Sequence, residues 1–313
     1  MGDKGSVGLL KKTFKDFSDD GCPQMAAALS YYTVFALPPL LILILTIVGI
    51  AFEPEQVRAA LQGQVGDMMG ADGAEQVGTM MEQANQPEGR GFRAIIGIVA
   101  LILGATGAFM QLQNALNRAW DVEPDPDAGG IRNFIVKRVL SLGMIAGLAF
   151  LLLVSLALSA VISMAGDMVG DILPGTSEPL LHLLNFALSF AVITVLFAAM
   201  FKVLPDARIS WKDVWVGGAV TALLFMIGKF ALGYYLGRSN PGEAYGAAGS
   251  LALILVWIYY ASMIVLLGAE FTQTWAERRG GGIEPEAGAR RRADSIAKAG
   301  AEARLRAEKT LEG

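Results

Sequence analysis

The chain has 313 residues, of which 54% are hydrophobic and 17% charged, and its formal net charge is −4. Soluble domains carry about 25% charged residues, so this composition excludes an ordinary soluble globular protein. The single cysteine, Cys22, excludes an intramolecular disulfide framework and a Cys-rich metal site. The first 23 residues contain no apolar stretch of signal-peptide length, so we expect no cleavable targeting sequence.

Residues 1–22 form the first predicted element, a cytoplasmic amphipathic segment. Val7, Leu10, Phe14 and Phe17 recur at helical spacing and share one face. This pattern predicts a helix that lies flat on the inner membrane surface, with its lysines near anionic lipid headgroups. The alternative is a helix that packs against neighbouring loops.

Six apolar blocks follow, and each is long enough to cross a hydrocarbon core of about 30 Å as a helix. None shows the period-two alternation of a membrane barrel, so only hydrogen-bonded helices remain as spanning elements. The predicted fold is therefore an all-α integral membrane protein with a transmembrane domain over residues 23–275. Its six predicted spans are 25–52, 93–117, 138–166, 180–204, 213–237 and 247–275.

Two polar segments lie outside these spans. The outer loop 53–92 has spaced apolar residues, which predict one or two short amphipathic helices over the outer mouth. The charged cytoplasmic tail, 276–313, begins with the glycine run Gly280–Gly282 and continues as an Ala/Arg/Glu-rich segment. Its composition predicts a solvated helix or a loose chain.

The basic residues set the orientation, because Lys and Arg concentrate in cytoplasmic connections. Twenty of them fall in the N-terminal segment, the second and fourth connections and the tail, against four on the opposite side. This asymmetry predicts that both termini are cytoplasmic. An even number of spans agrees with that prediction.

Two prolines stand in the middle of the first predicted span, after the tyrosines Tyr31 and Tyr32. Pro38 and Pro39 lack backbone N–H groups and bias the preceding residue away from helical angles. We expect a kink or break at this point. A discontinuous helix that lines a substrate path and a kink that serves packing are both compatible with the pattern.

A polar stripe marks the second predicted span. Gln111, Asn114 and Arg118 follow two glycines at spacings of three and four residues, and Asn117 lies on the adjoining face. Small residues let helices approach closely, and amides hydrogen-bond across helices. The stripe therefore predicts either a helix–helix contact or the polar lining of a cytoplasmic vestibule.

Glu270 is the acidic residue of the sixth predicted span, about five residues from its inner end, or roughly 7–8 Å. A carboxylate at this depth is costly unless it has a role or a partner. We expect either a structural ion pair with Arg118 or a group that binds and releases a proton. The amides of the second span and the two tyrosines are expected in the same inner layer.

Lys229 is the basic residue of the fifth predicted span, roughly 12 Å from the outer end. Its nitrogen is expected to snorkel toward the interface or to meet an anionic substrate or Glu243. Because Lys229 and Glu270 are predicted in opposite halves of the membrane, we predict that they do not pair.

The order and spacing of several motifs resemble the YihY/BrkB family of bacterial inner-membrane proteins. The resemblance implies a six-span, multi-pass protein of the bacterial inner membrane and covers about residues 20–275, without the N-terminal stretch and the tail. Family members are described mainly as uncharacterised proteins or as transporters of unspecified substrate, so no residue roles carry over. The matching motifs are Ala26–Tyr32, Pro38–Pro39, Leu116–Trp120, Leu204–Asp206 followed by Trp211, Gly228–Lys229, Tyr245–Ser250, Trp257–Tyr260 and Gly268–Glu270.

The family once carried a ribonuclease label, which the residues do not support. Phosphodiester hydrolysis generally needs metal-binding carboxylates or a histidine acid/base pair. The chain has one histidine, His182, and scattered acidic residues. We expect no enzyme activity, no cofactor, no metal and no nucleic acid partner.

Two functions from different classes remain. The first is a transporter or permease for a lipid-like or anionic solute, which uses the broken helix and the inner polar layer. The second is a non-transporting scaffold that supports the envelope, in which the same polar groups fasten helices and basic surfaces hold lipid headgroups. The expected partners are the bilayer, anionic headgroups and a small-molecule or lipid substrate, and a homo-oligomer is compatible with the sequence.

Overall fold

Eight helices and four short strands make up the part of the chain that the computed structural model describes, residues 5–48, 53–69, 71–84, 107–125, 177–239 and 249–293. The helices are α1 (Ser6–Asp19), α2 (Cys22–Val48), α3 (Pro54–Met69), α4 (Ala71–Ala84), α5 (107–119), α6 (Ser177–Val203), α7 (Trp211–Ser239) and α8 (Gly249–Arg278). The strands are β1 (Val122–Pro124), β2 (Ala207–Arg208), β3 (Glu284–Pro285) and β4 (Ala289–Arg291).

Among the helices of the described residues, three are long and apolar enough to cross a membrane. The qualifying stretches are Phe186–Val203 in α6, Trp211–Gly233 in α7 and Leu251–Arg278 in α8. They coincide with the predicted spans 180–204, 213–237 and 247–275. The first predicted span corresponds to α2, and the second is described only from residue 107 onward. The predicted span 138–166 lies outside the described residues.

Helix α2 does not break at its two prolines. It is helical from Cys22 to Val48, so the discontinuous helix that was one of the two alternatives at Pro38 and Pro39 is wrong, and the kink stays a prediction. The two missing N–H groups remove the normal intrahelical partners of the carbonyls four residues earlier. Helix α2 packs against α8, and tertiary contacts of this kind can override local preference.

Small residues let α7 and α8 approach closely. A Cβ atom at Gly217 of α7 would collide with Thr272 Oγ1 of α8, and one at Gly268 of α8 would collide with Thr221 Oγ1 of α7. Each threonine turns its hydroxyl back to its own helix, onto Gly217 O at 2.7 Å and Gly268 O at 2.6 Å. The two helices therefore cross antiparallel through a reciprocal glycine–threonine contact.

The segment 53–92, predicted as the outer loop, contains the helices α3 and α4. They pack against each other and against α2. Their shared apolar cluster is built on Leu41, Val77 and Met81, all buried. Residues 85–92 lie outside the described residues.

The described start of the tail forms turns and two short strands, not the solvated helix or loose chain that the composition of the whole tail predicts. We name residues 281–293 the strap. Its strand β4 pairs antiparallel with β1, and its strand β3 pairs antiparallel with β2. Positive φ angles at Gly280, Gly282 and Gly288 allow the turns that bring the strap back over the helix ends. The rest of the tail, 294–313, lies outside the described residues.

The strap meets three other segments at one end of the helices, which we name the strap end. The turn between α1 and α2, the β1 segment, the β2 segment and the strap all meet there. The main apolar core lies immediately beneath, with members from α2, α5, α6 and α8. The α1–α2 turn, the β1 segment, the β2 segment and the strap belong to the parts of the sequence in which Lys and Arg are concentrated.

Candidate functional site

Glu270 lies on α8 just beneath the strap end and is fully buried, with 0% of its surface exposed. Cys22 Sγ, at the start of α2, donates a hydrogen bond to Glu270 Oε1 at 3.4 Å. Gln273 lies one turn further along α8. In the amide orientation that satisfies both of its polar atoms, Gln273 donates to Ala119 O and, at 3.3 Å, to Glu270 Oε2. Neutral donors therefore surround this carboxyl group.

The predicted ion pair between Arg118 and Glu270 does not form. Arg118 is the next-to-last residue of α5, and its side chain reaches the α1–α2 turn, where Nε lies 3.8 Å from Asp20 Oδ1. Arg292 of the strap approaches the same oxygen at 3.7 Å. Within the described residues Glu270 has no salt bridge with any Lys or Arg.

A cavity of about 420 Å³ opens beside these groups at the strap end. Desolvation by burial, followed by the neighbouring Asp121 carboxylate, raises the pKa of Asp20 above its usual value. The cavity therefore combines three arginines with a carboxyl group that resists ionisation. Its lining residues are Asp19, Asp20, Arg118, Trp120, Asp121, Gln273, Glu277, Gly282, Ile283, Arg291, Arg292 and Ala293.

The amides of α5 are divided between two faces, and the buried face is not the predicted stripe. Asn117 is buried and forms a reciprocal pair with Asp206: its Nδ2 donates to Oδ2 at 2.9 Å, and Asp206 N donates to its Oδ1 at 2.8 Å. Gln113 adds a third bond, to Asp206 Oδ1 at 3.3 Å. On the predicted stripe, Gln111 is half-buried and Asn114 is exposed.

The aromatic and proline residues of α2 do not join this site. Tyr31 and Tyr32 are exposed, and the Tyr31 ring packs at 4.9 Å from Phe35 and edge-on to Tyr32 at 5.7 Å. Pro38 is half-buried within the continuous helix, and Pro39 follows it there. The structure thus separates these four residues from the Glu270 cluster.

Lys229 is also separate from Glu270. It is half-buried on α7, and within the described residues no salt bridge joins it to Glu270. The predicted absence of this pair agrees with the structure. Glu243, considered as a partner, lies outside the described residues.

Sequence reasoning missed several residues that build the site. Cys22 was interpreted only as excluding disulfides, yet it is the hydrogen-bond donor to Glu270. Trp120 anchors α5 to α8, because its Nε1 donates to Ala269 O at 3.0 Å. The turn carboxylates Asp20 and Asp206 gave no periodic signal. Asp206 was noted only as part of the Leu204–Asp206 motif, without a role, and only its position at the end of a predicted span could have marked Asp20.

The described side chains at this site give no basis for assigning a metal ion. Within the described residues, no group of three or more His, Cys, Asp or Glu side chains could hold a metal ion. The groups that face the cavity can exchange hydrogen bonds, protons and counter-charges with a small polar molecule. The chemistry that the arrangement supports is therefore binding or proton exchange.

Comparison with known proteins gives a family match over most of the chain. A family model described as "Virulence factor BrkB" matches residues 13–293, which includes part of α1 and the whole strap. The earlier resemblance, limited to about residues 20–275, was therefore too short at both ends. No solved structure matches the chain.

Relatives from several bacteria carry the name UPF0761 membrane protein. The chain is 29% identical over 268 residues to one from Teredinibacter turnerae, covering 85% of this chain and 60% of the relative. It is 29% identical over 282 residues to one from Rhodospirillum centenum, covering 89% and 60%. It is 31% identical over 265 residues to one from Alkalilimnicola ehrlichii, covering 83% and 56%. The chain thus spans about 60% of the length of these relatives.

Proposed function

The chain belongs to the BrkB family of membrane proteins, and from that premise we propose that it is a permease that moves a small solute across the bilayer. In this proposal the cavity at the strap end is the cytoplasmic opening of the pathway. Glu270 is the group of the pathway that meets the solute or a coupled proton. The lipid-like and anionic solute classes expected from the sequence both remain candidates for such a pathway.

We further propose a multi-pass protein of the bacterial inner membrane with six spans and both termini in the cytoplasm. The gathering of four basic segments at the strap end supports this topology, because the positive-inside rule assigns those same segments to the cytoplasm. The exposed apolar residues Val7, Leu10 and Phe14 of α1 fit a helix at the inner membrane surface. Anionic headgroups would then meet its lysines.

The observation that carries the permease proposal is that Glu270 is buried and that no Lys or Arg of the described residues pairs with it. A charged carboxylate inside a membrane helix costs several kcal/mol unless it is paired or neutralised. Cys22 and Gln273 supply only neutral hydrogen bonds. Proton uptake or a cation from the cavity would remove this cost, and an anionic or lipid-like solute could then travel with the proton.

A structural role alone explains Glu270 less well. Apolar residues of similar volume would pack this position without the cost of burying a carboxyl group. The buried polar pair Asn117 and Asp206, which does fasten segments here, exchanges two hydrogen bonds. Its existence is what favours the scaffold as the second candidate function.

The test is flux in proteoliposomes with protein that carries Glu270→Gln. The amide keeps the shape of the side chain and accepts the Cys22 hydrogen bond, but it binds neither a proton nor a counter-charge. Two probes cover the two solute classes: phosphate with an internal pH dye, and a fluorescent phosphatidylglycerol whose outer leaflet is quenched by dithionite. We expect flux of one probe with the unaltered chain and at least about a tenfold loss with Glu270→Gln.

The matched control is Glu82→Gln, the same change at an exposed carboxyl group on α4. It should leave flux unchanged, and both variants should elute as the unaltered chain does in size-exclusion chromatography. Equal flux in the Glu270→Gln variant and the unaltered chain would refute the role of Glu270. The scaffold predicts instead no flux of either probe and a changed stability in the Glu270→Gln variant.

A further inference from the structure

The strap is fastened to two separate connections between helices. Strand β4 adds to β1, with Arg292 N donating to Asp121 O and Asp125 N donating to Gly288 O, both at 2.9 Å. Strand β3 adds to β2, and Glu286 N donates to Asp206 O at 2.9 Å. The strap thus bridges the end of α5 and the connection between α6 and α7.

The strap also forms one wall of the cavity beside Glu270. Five of the lining residues belong to it, among them Ile283, which is buried. The facing wall includes Gln273, the side chain that links the cavity to Glu270. A change in the position of the strap would therefore change the size and opening of the cavity.

The strands that attach the strap are short, and glycines with positive φ connect it to α8. The two ladders pair only three and two residues, and isolated two-stranded pairings of this length are marginally stable. Gly280 and Gly282 join the strap to α8 with positive φ, and no atom lies within 4 Å of a Cβ placed at either. The two glycines can therefore change their backbone angles without a steric clash, whereas Ile283, the next residue, is buried in the main apolar core and leaves it when the strap moves.

Two charged contacts also hold the strap to the rest of the protein. Arg290 Nε and Nη2 both lie 2.8 Å from Glu123 Oε1, directly across the β1–β4 ladder. Arg292 lies 3.7 Å from Asp20 Oδ1 at the rim of the cavity. Both pairs are partly exposed, so each contributes modestly and exchanges readily with water.

We infer that the strap is a gate over the cytoplasmic opening of the cavity, held shut by the β1–β4 ladder and its Arg290–Glu123 pair. The inference rests on the proposed permease function, since a gate requires a pathway. The family match extends to residue 293, the last residue of the strap, so the strap belongs to the family domain rather than to an appended tail.

The test measures how fast a cysteine at Gln273→Cys reacts with a membrane-impermeant methanethiosulfonate in purified, detergent-solubilised protein. Native Cys22 is retained, and the chain with Cys22 alone gives the background rate. Arg290→Glu replaces the ion pair by two like charges across the ladder, which destabilises it. The double exchange Glu123→Arg with Arg290→Glu restores an opposite-charge pair and is the matched control.

We expect Arg290→Glu to raise the labelling rate about five- to tenfold and the double exchange to return it to within about twofold of the starting rate. An unchanged rate with Arg290→Glu would overturn the gate, as would a rate that stays high in the double exchange. Labelling does not depend on transport. A gate that responds in a protein without flux would therefore refute only the permease proposal.

A covalent lock gives a second, independent measurement. Pro124 and Ala289 face each other at a position between the hydrogen-bonded pairs of the ladder, where Cα atoms approach closely enough for a disulfide. Pro124→Cys with Ala289→Cys, oxidised before labelling, should slow the reaction at Gln273→Cys at least about fivefold, and reduction should reverse it. A locked strap that leaves the labelling rate unchanged contradicts the gate.

Discussion

Replacement of Asn117 by leucine tests whether the buried face of α5 holds the helices together. Asn117 is only 3% exposed and exchanges two hydrogen bonds with Asp206, at 2.9 and 2.8 Å. The Asn117→Leu variant loses a bond to a carboxylate, worth about 1.5–3 kcal/mol, and leaves a backbone N–H without this partner, which costs about 1–3 kcal/mol. Gln113 still reaches the carboxylate, so we expect a net loss of about 3 kcal/mol.

The assay is the midpoint of thermal unfolding, followed as the monodisperse fraction that survives heating in detergent. At about 2 °C per kcal/mol for a chain of this size, the midpoint of the Asn117→Leu variant should fall by about 6 °C. The matched control is Asn114→Leu, the same change one turn earlier at an exposed position. It should shift the midpoint by about 1 °C or less. Equal shifts in the two variants would refute the assignment of Asn117 as the structural amide.

Two further substitutions test the packing between helices. Gly217→Ala should destabilise the protein by about 1–3 kcal/mol, because its new methyl group meets Thr272. The control, Gly233→Ala on the same helix, faces open space and should stabilise the protein by up to about 1 kcal/mol. The thermal midpoints of the two variants should therefore move in opposite directions. Trp120→Phe should cost about 1–2 kcal/mol through the lost bond to Ala269 O, and a midpoint equal to that of the unaltered chain would show that this bond does not anchor α5.

The spans could be predicted because their signal is local. Length and apolar content alone identify a membrane helix, and the stretches in α6, α7 and α8 coincide with predicted blocks. The break predicted at the prolines of α2 does not occur, because tertiary packing, which is not local, opposes their preference. Their local preference predicts a break, but α2 lies along α8, and a preference of a few kcal/mol yields to packing along an entire helix.

The site was only partly predictable, because polar residues on one face of a helix do not reveal which other segment that face contacts. The sequence showed two adjoining polar faces on α5, one with Asn114 and the other with Asn117. Which face is buried depends on Asp206, which is 89 residues away along the chain. Glu270 was identified from its cost in a membrane, yet its donor Cys22 lies 248 residues away, so no local pattern joins them.

The strap was beyond sequence reasoning for a physical reason that also bears on its role. Pairings of two or three residues have no periodicity to detect, and glycine with arginine suggests solvated chain. Such a segment takes its conformation from the surface it meets, and Asp20 is part of that surface at the cavity. There Arg118 from α5 and Arg292 from the strap share one carboxyl group whose pKa is raised by burial. A carboxyl group shared between a helix and the strap ties the position of Arg292 to the contact that Asp20 makes with α5, and no pattern along the sequence reveals such a shared contact.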